Sequence, residues 1–191
     1  MNPPAPAPVF PAPAATPCLA YPLDEFYARE GVPLPPIEAI PGEAIPEPFR
    51  SLLVHDNDMT PTLEAHHGSD IHIEVWGREQ RGDLYFREVV LRLDRNQRPV
   101  EFGANKINLA LFPPAIRRLI LDEYLPLGHI LNRYRVPHAG HPLGYFRIQS
   151  DRLMNRAFQL SGRHLLYGRR NIIRNPEGQP LSEVVEILPP R

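Results

Sequence analysis

Two stretches of this chain carry the pattern of an antiparallel hairpin, which restricts the folds open to it more than any other feature. LYFREVVLRLD (84–94) runs into the polar turn DRNQR and then PVEFGANKINLAL (99–111). HLLYGRRNIIR (164–174), the turn NPEGQ and PLSEVVEIL (180–188) repeat the arrangement. Runs rich in β-branched and aromatic residues, bounded by such turns, are hairpin signals. IHIEVWGRE adds a strand in which Ile71, Ile73 and Val75 alternate with His72, Glu74 and Trp76, and YFRIQ (145–149) adds another. Helical segments fall between the hairpins rather than after every strand. TPTLEAHHG reads as a helix with Thr60 as N-cap, Pro61 at the first helical position and Gly68 at its end. PPAIRRLILDEYL and HILNRY are helical, and FRSLLVHD is a helix end or a short strand. The expectation is an α+β fold with a mainly antiparallel sheet and helices inserted between hairpins.

Prolines divide the chain. Fourteen of the 25 lie in the first 48 residues, where fixed φ and missing amide donors favour extended, solvated backbone. We therefore read 1–47 as a Pro-rich, partly disordered segment and 48–191 as the domain, with residues 1 to about 20 disordered. DEFYARE (24–30) is a short helix within that segment. The net charge of -1 and pI near 6.7 provide no field to hold nucleic acid or an anionic membrane. A single cysteine, Cys18, excludes a disulfide framework or a Cys-based metal site. With no run of about 18 apolar residues and no signal-peptide pattern, a cytoplasmic protein is expected. Of 21 basic residues, Lys106 is the sole lysine.

Arg87 lies on a strand face with Tyr85, Val89, Leu91 and Leu93. A guanidinium among apolar neighbours needs an anion, and its fork suits a carboxylate. That anion is either a Glu of the same sheet, the commoner case, or a ligand. Glu186 alternates with Val184 and Leu188, Glu183 with Val185 and Ile187, and one of the two acids is expected to face solvent. Asp56-x-Asp58-x-Thr60 after an apolar run resembles the nucleophile motif of haloacid dehalogenase-type phosphatases. A β-hairpin context and the absence of a later acidic pair count against it. His55, His66, His67 and His72 could be imagined as metal ligands beside these acids. Adjacent His66 and His67 diverge, however, and serve a helix C-terminus better. Of Arg169 and Arg170, strand alternation lets at most one reach an interior pocket.

The order of these pieces resembles the chorismate pyruvate-lyase family. The matching features are an early LL-x-x-D with MT, a strand Y-F-R-E-V-x-L, a central PLG followed by IL, then GRR, and a closing acidic strand ending in LP. The resemblance covers roughly residues 50 to 190. It implies an antiparallel sheet covered by helices, and a buried pocket that releases pyruvate from chorismate to leave 4-hydroxybenzoate without metal or organic cofactor. It implies Arg87 as anchor of the ring carboxylate, and Met59 and Leu127 as donors of backbone groups near it. It also implies Glu186, with Glu183 as fallback, at the ring hydroxyl. Where many members carry an arginine after a glycine, this chain has Gly103-Ala104-Asn105-Lys106, so Lys106 or Arg169 is the expected second cation, for the enolpyruvyl carboxylate. The expectation is a chorismate pyruvate-lyase acting on a small-molecule substrate; a non-catalytic module binding a small aromatic acid on the same fold is the alternative, and a phosphatase the minor one.

Overall fold

The structure, a computed structural model, describes residues 18–191; the expected disorder at the N-terminus lies, up to Pro17, outside the described residues. One sheet contains seven strands: β1 (Ile37–Ile40), β2 (Ile71–Arg81), β3 (Leu84–Leu93), β4 (Pro99–Asn108), β5 (Ala139–Gln149), β6 (Leu165–Arg174) and β7 (Pro180–Leu188). Their order is β1-β5-β6-β7-β4-β3-β2, and every neighbouring pair is antiparallel. The α+β class read from the hairpins is the one found. Both hairpins form, with Arg87 opposite Asn105 in the first and Arg169 opposite Glu186 in the second. Their turns put Gln97 and Gly178 in the left-handed region, at φ 61° and 80°. The hairpins join through β4 and β7, where Gly103 faces Glu186. A Cβ on Gly103 would lie 2.0 Å from the Val185 carbonyl oxygen, so glycine is required for this approach.

Helices α1 (Leu23–Glu30), α2 (Phe49–Leu53), α3 (Met59–His67), α4 (Pro114–Leu121), α5 (Leu127–Arg133) and α6 (Arg152–Phe158) cover the sheet. On one face α1 and α6 bring Leu23, Phe26, Met154 and Phe158 onto Phe86, Val90, Phe102 and Val185. On the other, α2 and α3 pack on Ile73, Val89 and Leu91, while α4 and α5 pack on Tyr85, Ile107 and Val184. That second cover is therefore in two halves with a seam between them.

Helix α3 begins at Met59 with Asp58 in the N-cap position, earlier than expected. Pro61 is tolerated because a first-turn residue has no intrahelical acceptor for its N–H. Gly68 ends the helix at φ 60°, as read. Strand β5 starts at Ala139, six residues ahead of YFRIQ, and α6 was not anticipated; the Asp151 side chain caps it by accepting from the Met154 N–H at 2.8 Å. Packing also begins before Pro48. Leu23, Phe26 and Tyr27 are buried, and β1, bracketed by Pro36 and Pro41, pairs at the sheet edge with β5, the position where flanking prolines are tolerated. Among the described residues no helix is long and apolar enough to cross a membrane.

Candidate functional site

The seam between the two halves of the helical cover encloses a small cavity. Its floor is the sheet face carrying Arg87 and Val89 of β3, Glu101 and Asn105 of β4, Asn171 of β6, and Val184 and Glu186 of β7. Its roof is the first turn of α3 (Met59, Thr60) and of α5 (Leu127, Gly128). The first N–H groups of a helix have no intrahelical acceptor and carry partial positive charge, so both roof helices present their positive ends here. The cavity holds about 40 Å³, room for a few waters, whereas a benzene-sized guest occupies a cavity of about 150 Å³.

Arg87 is 1% exposed and makes one weak contact, Nε to the Asn105 side-chain oxygen at 3.4 Å. Its Nη1 has no partner among the described residues, and no carboxylate forms an ion pair with it. Glu123, an acid whose charge acts on it, is taken by Arg78 and the Tyr85 hydroxyl. Burial pulls the guanidinium down to about 10, partly offset by Tyr85 and Glu123; it remains charged at neutral pH. Of the two sources of an anion considered for Arg87, an internal Glu is not the one the structure contains. Asn171 Oδ1 and Glu101 Oε2 are further buried, unpartnered atoms on the lining. Burial, and then the Glu186 charge, push Glu101 well above the ordinary carboxylate range, with Arg169 opposing.

The family resemblance brought together Arg87, Met59, Leu127 and Glu186, and all four line the cavity. It did not single out Glu101, Asn105 or Asn171. Glu101 was legible in principle, since it shares a strand face with Gly103 and Asn105 and not with Val100 and Phe102.

Three expected positions need correction. Lys106 lies on the opposite face of the sheet, its Nζ 2.8 Å from Glu183, which also accepts from Arg170 at 2.6 Å. Alternation along β4 dictates this, because Lys106 follows Phe102 and Ala104, two residues of the α1–α6 core. Glu183 shares that far face, so of the two acids Glu186 is the one at the cavity. Arg169 is on the cavity face but committed: it pairs with Glu186 and donates to the carbonyls of Leu53, His55 and Asn57 at 3.2, 2.9 and 3.2 Å. It thereby pins the segment leading into α3.

The phosphatase reading also fails. Asp58 Oδ2 accepts from the Asn132 side chain at 2.5 Å and meets His138 Nε2 at 2.8 Å, tying α3 to α5 and to the lead-in of β5. This bond raises the His138 pKa. Asp56 and Asp58 precede a helix in an all-antiparallel fold, not the end of a parallel strand, and among the described residues no group of acids, His or Cys could hold a metal ion.

A larger cavity, about 440 Å³, lies between α2, α3, α6 and the end of β7, walled by Phe49, Leu63, Phe158 and Leu188. None of the unpartnered buried polar atoms lines it. Three of those atoms, on Arg87, Glu101 and Asn171, line the small cavity.

No protein-family model and no curated protein matches the chain. Solved structures do. The effector domain of PhnF from Mycobacterium smegmatis matches with a TM-score of 0.52 at 11% identity, over 69% of this chain and 88% of that one. The fold is shared with that effector domain. A GntR-family transcriptional regulator from Bacillus cereus matches at 0.45 and 12% identity, over 64% of this chain and 93% of that one. YydK from Bacillus subtilis, a possible transcriptional regulator, matches at 0.49 and 9% identity over 63% of this chain; the match spans 59% of YydK's length.

The expectation of a chorismate pyruvate-lyase is corrected by the neighbour whose fold is shared, which is an effector domain. The site agrees on physical grounds: two carboxylates of one substrate call for two free cations, and among the described residues lining the cavity Arg87 is the one cation. Lys106 is on the wrong face and Arg169 is spent.

Proposed function

We propose that this chain is a non-catalytic binding module whose ligand is a small aromatic acid held by its carboxylate on Arg87. The observation that carries this reading is a fully buried guanidinium with an unpartnered Nη1 at the floor of a cavity. A desolvated cation with no anion is costly, and a ligand carboxylate is the group that would relieve it. The N–H groups of Met59 and Leu127 would add donors from the roof, where the two helix ends favour negative charge. Glu186, braced by Arg169, would form the wall beside the ring.

The size of the cavity gives the module a way to report its ligand. The cavity is smaller than one that holds a ring, so binding would call for α3 and α5 to shift outward. The parts that must yield are the Asp58 ties to Asn132 and His138. Binding coupled to displacement of a cover suits an effector domain, the term used for the PhnF neighbour.

The test is a calorimetric titration of the protein with 4-hydroxybenzoate and, separately, with 4-hydroxybenzyl alcohol, which keeps the ring and loses the charge. Binding of the acid alone is expected. Equal affinity for both, or none for either, would contradict the proposal.

A further inference from the structure

The larger cavity differs from the Arg87 cavity in size, wall and charge. At about 440 Å³ it falls within the range of small-molecule sites, and it is about three times the size of a cavity that takes one benzene ring. Its wall is apolar, with Phe49 and Leu52 of α2, Leu63 of α3, Phe158 of α6 and Leu188 of β7. Such a wall holds water poorly and favours an apolar guest. A single-ring acid would leave most of the space unfilled.

The charged groups around this wall are all of one sign. No acidic side chain lines the cavity, whereas Arg98 and Arg191 do, and both are exposed. Arg191 donates to the Glu47 backbone carbonyl. Arg98 forms no ion pair with a carboxylate among the described residues; its Nη2 donates to His67 Nδ1 at 3.0 Å. A guanidinium has donors only, so His67 must be the acceptor and therefore neutral. Burial, then the charges of His66 and Arg98, bring the His67 pKa down to about 4, in agreement with that geometry. His67 thus steadies Arg98 at the cavity without neutralising it.

We infer that this cavity is a second ligand site, one for an amphiphilic monocarboxylate. The apolar tail, larger than one ring, fills the space between α2, α3 and α6, and the carboxylate stays at the solvent edge on Arg98. A cationic head on the same tail would meet only like charge there. The site is independent of the Arg87 reading, since the two cavities share no lining residue.

The experiment titrates the protein calorimetrically with decanoate and with decylammonium, which carry the same tail and opposite heads. An exposed ion pair is worth up to about fivefold in affinity, so the wild type is expected to bind decanoate about three- to tenfold more tightly than decylammonium. Arg98→Glu should remove or invert that preference. Leu160→Trp, which adds bulk at a half-buried lining position, should weaken both ligands at least about tenfold, and Arg87→Met should leave decanoate binding unchanged. If Leu160→Trp does not fold, Arg98→Glu, at an exposed position, still decides. No binding of either ligand, equal wild-type affinities, a preference that survives Arg98→Glu, or decanoate binding unaltered in folded Leu160→Trp would overturn the inference. Loss of decanoate binding in Arg87→Met would place that ligand in the small cavity and overturn it as well. The Arg87 reading stands or falls separately, on the 4-hydroxybenzoate titration.

Discussion

Arg169 and Arg87 stand at equal depth in one sheet, 0% and 1% exposed, on the same face, yet they are solvated by the protein in opposite ways. Arg169 has a carboxylate and three backbone carbonyls; Arg87 has a single long contact to an amide. Burial alone therefore does not mark an arginine as functional. What distinguishes the two is whether the fold supplies the anion. On the far face of the sheet both cations are paired: Arg170 and Lys106 share Glu183. Arg87 is the buried cation that the described part of the fold leaves without an anion.

The largest expected effect comes from breaking the satisfied member of the pair. Arg169→Met strands Glu186 and releases the carbonyls of residues 53–57, and removal of one partner from a buried pair costs about 3–5 kcal/mol. Chemical denaturation of the variant should show a loss of that order. A loss below about 1 kcal/mol would mean that the Arg169 network does not bear on stability, and the comparison would lose its reference.

A smaller effect sharpens the comparison from the acid side. Glu88 is buried beneath α1 with Oε1 unpartnered, and burial, aided by Glu30, pushes its pKa up to about 7. A carboxylate can shed its charge by taking a proton; an arginine cannot. With the folded pKa raised, the stabilisation is fully present below the unfolded value near 4.5 and is lost as pH rises through about 7. Wild type and Glu88→Gln should match near pH 4 and diverge by pH 8 in favour of Gln, by about 3 kcal/mol at most. Parallel stability curves between these pH values would show that Glu88 does not titrate in this window.

Much of this was legible in the sequence because alternation is a strict rule within a hairpin. It put Arg87 on an apolar face, and it required Glu183 and Glu186, an odd number of residues apart, to face opposite ways. The same rule, applied to β4, separates Lys106 from Asn105 and hence from Arg87; the resemblance to a two-cation site overrode it. What strand pattern could not supply was the partner of each charge. Nothing in GRR says that Arg169 reaches Glu186 and the carbonyls before α3, since those contacts are set by how α2 and α3 fold back over the sheet. β1 and α6 were missed for local reasons: four residues between prolines hold little periodicity, and α6 is two turns long with its cap as the main signal.

The smallest expected change in stability belongs to the residue on which the account depends. Arg87→Met removes a desolvated cation that has no anion to strand, so the unfolding midpoint should stay within error of the wild type or rise. Affinity for 4-hydroxybenzoate should fall by about 2–5 kcal/mol, the cost of removing one partner from a buried charge pair. The two quantities should be measured side by side, with Arg169→Met as the reference for a structural arginine. Lost binding with preserved stability is the predicted result; unchanged binding with a midpoint lowered as far as in Arg169→Met would contradict it.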